Sequence, residues 1–245
     1  MTDPNPTIKI TLRIPGNWAH PGELVERMSD GYQLSPESLV MPDGTDIELV
    51  PMPPDDQFAA IFASSCRQPA TPDEVAVVNG YTVNVRLTGP GGSLSAAHSM
   101  MQAGAAIVLA GGAGVFIDNC GLAHGGRDWL KMTDDGSSDA LSFAFVSIIR
   151  GKTEIWTMGM HVLGQPEVMM KRPNADDEGD VIIDVIRYMC ASDKPIADGD
   201  FLADEISLRF RAVTAAGDKF ESDSPMYNPF GRLKLIPIKE IAEGN

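Results

Sequence analysis

Hydrophobic and polar residues alternate along several short segments of the chain, a pattern typical of β-strands with one buried face. The alternation is clearest over residues 81–88 and recurs over residues 7–14. The same pattern or a short apolar run predicts further strands at 115–117, 155–160, 168–171, 206–212 and 233–238. The chain therefore contains many short strand candidates spread over most of its length.

Two apolar runs lack this alternation. Residues 58–63 are suited to a buried strand, and residues 141–149 are apolar on both faces, as in a central strand. Gly151 and Lys152 then provide a turn through which residues 141–149 can pair with residues 155–160 in a hairpin.

Apolar residues at a spacing of three and four predict helices in other segments. The longest candidate covers residues 93–109, and shorter ones cover 127–132 and 181–190. Pro21 stands at a position that favours the first turn of another short helix, which Gly31 would end. Short helices between mostly antiparallel strand candidates predict an α+β fold with helices packed on one face of the sheet or sheets. Two ferredoxin-like halves and a single mixed sheet are both compatible with this order.

A proline-rich stretch at residues 35–56 interrupts these elements and ends in Asp55 and Asp56. Such a composition is typical of a connection between units. We therefore predict an N-terminal appendage at 1–55 and a main α+β domain at 56–245.

The net charge of the chain restricts its possible functions more than its length does. The 245 residues carry 19 basic and 34 acidic side chains, a formal net charge of −15. This balance argues against binding to nucleic-acid phosphates and favours a basic protein partner. No apolar run suits a membrane span, and three widely spaced cysteines fit reduced thiols, so we expect a cytoplasmic protein.

The segment TGPGGSL, residues 88–94, follows a predicted strand and opens a helix, where backbone N–H groups bind anions. Gly91, Gly92 and Ser93 are the ligand-binding candidates. The Lys-Ser/Thr pair of a P-loop is missing, and a plain turn with Ser93 or Ser95 as the helix cap is the alternative.

Residues 118–128 follow another strand and contain Asp118, Cys120 and His124. A thiol nucleophile with an imidazole base would form if Cys120 and His124 came within hydrogen-bonding distance. This catalytic hypothesis requires a lowered thiol pKa at Cys120. The alternative is that Cys120 is a small buried hydrophobic residue.

The segment TMGMHVLGQPE, residues 157–167, combines Thr-x-Gly-Met with Gly-x-Pro-Glu after the predicted hairpin. With the upstream AAHSMMQAGAAIVLAGGAGVFID and the downstream KPIADGD, it resembles a bacterial family catalogued only as a domain of unknown function. The resemblance covers residues 58–238, and it implies no catalytic or binding residue because members have no established activity.

Within this segment, Gly159 and Gly164 permit backbone conformations or close approaches that a Cβ atom would prevent. The segment is either a structural corner or a loop that projects His161 and Glu167 into a cleft as ligand-binding candidates. The histidine spacing fits no zinc motif, so we predict no metal and no cofactor, although His124, His161 and Glu167 from separate loops are the alternative.

Two functions follow from these patterns, and whether the protein is an enzyme stays open. The first is a non-enzymatic protein-interaction module of the accessory or immunity-like kind, steered to a basic partner by its negative charge. The alternative is a hydrolase or a small-ligand or anion-binding protein with a pocket formed by the loops 88–94, 118–128 and 159–167.

Overall fold

A computed structural model describes residues 7–172, 174, 181–192, 195–203, 208–216 and 220–243. Thirteen strands and eight α-helices lie in this part of the chain. The strands form two mostly antiparallel sheets, sheet A with seven strands and sheet B with six. The predicted α+β class is therefore confirmed, whereas ferredoxin-like halves are not, and the strands do not form a single mixed sheet.

Sheet A is antiparallel throughout and has the order β2-β3-β4-β5-β1-β6-β7. Its strands are β1 (Lys9–Gly16), β2 (Gln33–Leu34), β3 (Ser38–Val40), β4 (Asp46–Met52), β5 (Val83–Pro90), β6 (Gly114–Ile117) and β7 (Leu122–Gly125). The first strand of the chain thus lies between β5 and β6, near the middle of the sheet.

Sheet B has the order β11-β12-β13-β10-β9-β8, in which only β10 and β13 are parallel. Its strands are β8 (Ser147–Arg150), β9 (Glu154–Met158), β10 (Glu167–Lys171), β11 (Phe201–Ala203), β12 (Leu208–Ala215) and β13 (Arg232–Pro237). A short 3-10 helix, Met160–Leu163, connects β9 to β10.

The helices are α1 (Pro21–Glu26), α2 (Phe58–Ser65), α3 (Pro72–Asn79), α4 (Leu94–Leu109), α5 (Gly126–Asp135), α6 (Ser138–Phe145), α7 (Val181–Ala191) and α8 (Ile238–Glu243). Helix α4 packs on the face of sheet A that carries Leu12, and Trp129 of α5 donates a buried hydrogen bond to the Met101 carbonyl of α4. In addition, α2 and α3 cover part of the opposite face around Phe116.

One hydrophobic cluster contains Leu12 of sheet A, Ile155 of sheet B and helical side chains such as Trp129. The predicted helices at 93–109, 127–132 and 181–190 lie at α4, α5 and α7, with ends shifted by a few residues. The predicted strands other than 58–63 and 141–149 are also present, although residues 206 and 207 lie outside the described residues.

Two strand predictions are wrong. Residues 58–63 belong to α2, in which Phe58 and Phe62 are buried four residues apart while Ile61 is exposed. Most of 141–149 belongs to α6, whose N-terminus is capped by the Ser137 hydroxyl, and only its end forms β8. Strand β8 does pair with β9 in the expected hairpin.

The predicted division into an appendage at 1–55 and a main domain at 56–245 is also wrong. Strand β1 pairs with both β5 and β6, and β4 pairs with β5 over five residue pairs. Prolines at 51, 53 and 54 mark the end of a strand of sheet A, and Asp56 separates no structural units.

Candidate functional site

The three loops predicted to form a pocket do meet in the structure. The Gly92 N–H donates to the Val162 carbonyl at 2.9 Å, which joins the first loop to the third. The Asn119 Nδ2 atom lies 3.3 Å from His161 Nε2, which joins the second loop to the third. Most of the polar groups in these loops nevertheless bond to partners within the protein, as the individual residues show.

Glu167 is buried, and its carboxylate is saturated by donors of the protein itself. One oxygen accepts from the Thr157 hydroxyl at 2.7 Å. The other accepts from the Gly159 and Met160 N–H groups at 3.1 Å and from Asn228 Nδ2 at 3.0 Å. Because a buried carboxylate is costly unless it is hydrogen-bonded, this arrangement stabilises the β9–β10 corner.

His161 is 2% exposed and lies against the same carboxylate. Its Nε2 atom is 3.0 Å from the Pro225 carbonyl, and its Nδ1 atom is 3.5 Å from Glu167 Oε1. Both side chains therefore face the protein interior, and the interpretation of residues 157–167 as a structural corner describes them better than a ligand-binding loop does.

The catalytic hypothesis for Cys120 and His124 is contradicted by their burial. Desolvation raises the pKa of the Cys120 thiol to about 12, whereas the hypothesis requires it to be lowered. Desolvation also lowers the pKa of His124 to about 4, and its Nε2 atom lies 2.9 Å from the Ala144 carbonyl. The low pKa of His124 makes its imidazole a weak base, and its Nε2 atom is already engaged. The raised pKa of Cys120 makes the thiol hard to deprotonate, so the two side chains do not form a nucleophile and its base.

Asp118 lies at the end of β6 and pairs with Arg13 of β1 at 2.8 Å. Burial raises the pKa of its carboxyl group, and the hydrogen bond from Arg13 opposes this effect. The side chain thus joins two neighbouring strands of sheet A, which is a structural role.

Gly91, Gly92 and Ser93 form a plain turn followed by a helix cap. The Gly91 N–H donates to the Ile8 carbonyl at 2.9 Å, and the Gly92 N–H donates to the Val162 carbonyl. The Ser93 hydroxyl accepts from the Ala96 N–H at 3.1 Å. The glycine N–H groups expected to bind an anion are therefore already engaged.

A cleft of about 790 Å³ does open beside this turn, over the exposed face of sheet A. Side chains of β4 and β5 alternate, so Asp46, Glu48 and Thr88 project into the cleft while Ile47 and Leu87 enter the core. Phe230, which is 43% exposed, supplies an apolar wall. We call this feature the acidic cleft.

The acidic cleft contains more negatively than positively charged side chains. Glu37, Asp46 and Glu48 contribute three carboxylates, and Lys9 contributes one ammonium group. Glu48 also pairs with Arg86 at 3.5 Å. Sequence reasoning missed these carboxylates because they lie in the segment predicted to be a connection, although residues 46–49 alternate as a strand does.

Among the described ranges, no group of three or more His, Cys, Asp or Glu side chains is arranged to hold a metal ion. No helix in the described part of the chain has the length and apolar character needed to cross a bilayer.

Comparison with known proteins does not assign the chain to a family. No protein-family model, curated protein or solved structure gives a significant match to the chain. The family resemblance of residues 58–238 stays a prediction, and the acidic cleft is the feature from which a function is inferred.

Proposed function

We propose that the protein is a non-enzymatic binding module, accessory or immunity-like in kind, that takes a basic segment of a partner protein into the acidic cleft. The observation that carries the proposal is the excess of carboxylates in a cleft of about 790 Å³. A reducing cytoplasm is the proposed location, because Cys66, Cys120 and Cys190 are free thiols.

The charge of the whole chain and the charge of the cleft act at different ranges. A net charge of −15 attracts a basic partner over distance and raises its association rate. Glu37 and Asp46 then supply close contacts to lysine or arginine side chains. Exposed ion pairs contribute only ~0.2–1 kcal/mol each, so several basic residues must bind together.

Phe230 and the hydroxyl groups of the cleft add contacts that are not purely electrostatic. The exposed ring offers a face for a cation or for the aliphatic stem of a lysine. Thr88 and Ser38 offer hydroxyl groups near Glu48. The hydrolase alternative has less support, because its nucleophile and base candidates, Cys120 and His124, are buried.

The proposal is tested by titrating the full chain with a fluorescein-labelled hexalysine peptide and measuring anisotropy. We expect saturable binding that weakens on raising the salt from ~0.05 to ~0.2 M, because exposed charges are screened. The double variant Glu37→Gln/Asp46→Asn should raise the Kd at least about fivefold, since it removes two of the carboxylates of the cleft.

The matched control is Asp30→Asn/Asp134→Asn, which removes the same charge from exposed positions outside the cleft. We expect it to change the Kd less than about twofold. Equal weakening by both double variants would show that only net charge matters, and absence of peptide binding at low salt would also reject the proposal.

A further inference from the structure

A second cavity, of about 580 Å³, lies between α1 and the strands β4 and β5. We call it the apolar cavity. Its inner wall is formed by Trp18, Leu24, Leu49 and Val85, each less than 8% exposed, together with the half-buried Val83. These side chains belong to the hydrophobic core, so the cavity is a recess in that core.

The lining of the apolar cavity carries no charged side chain among the described residues, in a protein in which 22% of residues are charged. Its polar side chains already have partners within the protein. His20 Nδ1 accepts from a backbone N–H of α1, Ser35 Oγ bonds to the Ser38 backbone, and Thr82 Oγ1 donates to the Trp18 carbonyl. The interior therefore offers apolar contact and little else.

The walls are held in place by hydrogen bonds and prolines of the protein itself. Trp18 Nε1 donates to the Ala110 carbonyl at 2.8 Å in a buried hydrogen bond, and its backbone N–H donates to Thr82 Oγ1 at 3.1 Å. Pro21, Pro36 and Pro51 lie along the rim, where their rings fix the backbone φ angle. A preformed cavity reduces the ordering cost of binding.

We propose that the apolar cavity binds a neutral small molecule with an aliphatic or aromatic body and with its polar end in solvent at the exposed mouth beside His20 and Ser35. The volume falls within the ~300–1,000 Å³ range of small-molecule sites, whose linings are mostly apolar. A charged ligand would lose hydration without gaining a counter-charge. This site is separate from the acidic cleft, because among the described residues the two linings have Ser35 in common and otherwise differ.

N-phenyl-1-naphthylamine, a neutral dye that fluoresces in apolar surroundings, is the probe for a test on the full chain. We expect saturable binding of one dye per chain. Val83→Phe should fill the cavity and raise the Kd at least about tenfold. Val25→Asp should also weaken binding, because it places a charge at the rim, and its position is 52% exposed and tolerates a polar side chain.

Leu109→Ser is the matched control, because Leu109 is 61% exposed and lies outside the cavity. It should leave the dye Kd within about twofold, and all variants should keep the parent circular dichroism spectrum. Decanol should displace the dye, whereas decanoate and decylamine at equal concentration should not. The proposal is overturned if the parent shows no saturable binding, if Val25→Asp binds as the parent does, or if the charged chains compete equally.

Discussion

Burial decides what Cys120 and His124 can do. Both residue types are common nucleophiles and bases when solvent or a counter-charge stabilises their ionised forms. Here the side chains are 1% and 2% exposed, and desolvation favours the uncharged form of each. The sequence shows that a thiol and an imidazole are four residues apart, but whether that segment is buried depends on strands and helices distant in the chain.

The lowered pKa of His124 predicts that the protein loses stability in mild acid. The folded-state pKa, about 4, lies below the ordinary value of 6.5. As the pH falls, the unfolded chain therefore takes up a proton at a higher pH than the folded protein does. The stabilising contribution of the neutral imidazole is complete above the pKa of the unfolded chain and is lost as the pH falls below it. We expect the free energy of unfolding to drop by about 2 kcal/mol between pH 7 and 5, measured by urea denaturation.

His124→Gln separates this effect from other acid-sensitive groups, because glutamine can still donate a hydrogen bond to the Ala144 carbonyl but does not titrate. Arg67 adds to the lowering of the His124 pKa, and Asp128 opposes it, so both are kept unchanged. His98→Gln, which removes a histidine outside this cluster, is the control. A pH dependence in His124→Gln equal to that of the parent would show that another group causes the loss.

At the scale of elements, the β9–β10 corner depends on glycine where the chain approaches its neighbours. Gly159 and Gly164 have φ angles of +110° and +80°. A Cβ atom on Gly159 would lie 2.1 Å from the Phe145 carbonyl oxygen, and one on Gly164 would lie 2.6 Å from that of Gly92. The close approaches predicted from the two glycines are confirmed, and they fix the corner against α6 and the α4 turn.

Two glycines with similar φ angles allow this crowding to be measured. Gly164→Ala should lower the free energy of unfolding by more than the ~1–2 kcal/mol expected of a left-handed conformation, because its Cβ atom also meets a backbone atom. Gly199, at φ +86°, has no atom within 4 Å of the added Cβ, so Gly199→Ala should show the backbone effect alone. Equal losses in urea unfolding would show that the contact with Gly92 relaxes without cost.

The elements also show where sequence reasoning succeeds. Residues 93–109 are long enough for a helical period to be recognised, and α4 lies there. Residues 58–63 and 141–149 are short and apolar, a pattern that suits a buried helix as well as a buried strand. The packing of these segments against the sheets, rather than their local pattern, therefore selects helix over strand. The acidic cleft escaped prediction because β4 acquires its neighbours through pairing with β5, more than thirty residues away.

At the scale of the whole molecule, residues 7–55 complete the core and both proposed sites. Strand β1 carries Ile10, Leu12 and Ile14 into the hydrophobic cluster that also contains side chains of sheet B. The same part of the chain contributes Asp46 to the acidic cleft and Trp18 to the apolar cavity. Both proposed binding functions therefore require these residues.

This arrangement predicts that residues 56–245 do not fold alone. Removing residues 1–55 separates β5 from β6 and exposes the core face that Leu12 covers. Each large core side chain contributes ~1.5–3 kcal/mol by burial, and the deleted segment supplies nine of them (Ile10, Leu12, Ile14, Trp18, Leu24, Leu39, Met41, Ile47 and Leu49). Their loss therefore matches or exceeds the usual net stability of ~5–15 kcal/mol. We expect the fragment to show no cooperative urea transition by circular dichroism and few dispersed amide signals by NMR.

Substitutions in the full chain distinguish the loss of β1 from the loss of chain length. Leu12→Ser, at a position that is 0% exposed, should cost several kcal/mol, whereas Lys9→Ser at the exposed start of the same strand should cost little. Adding the fragment 1–55 to 56–245 should restore dispersed signals, because the missing strand can pair between β5 and β6 in trans. A fragment 56–245 that unfolds at the midpoint of the full chain would instead place the boundary of an autonomous domain at Asp56 and make β1 dispensable to the core.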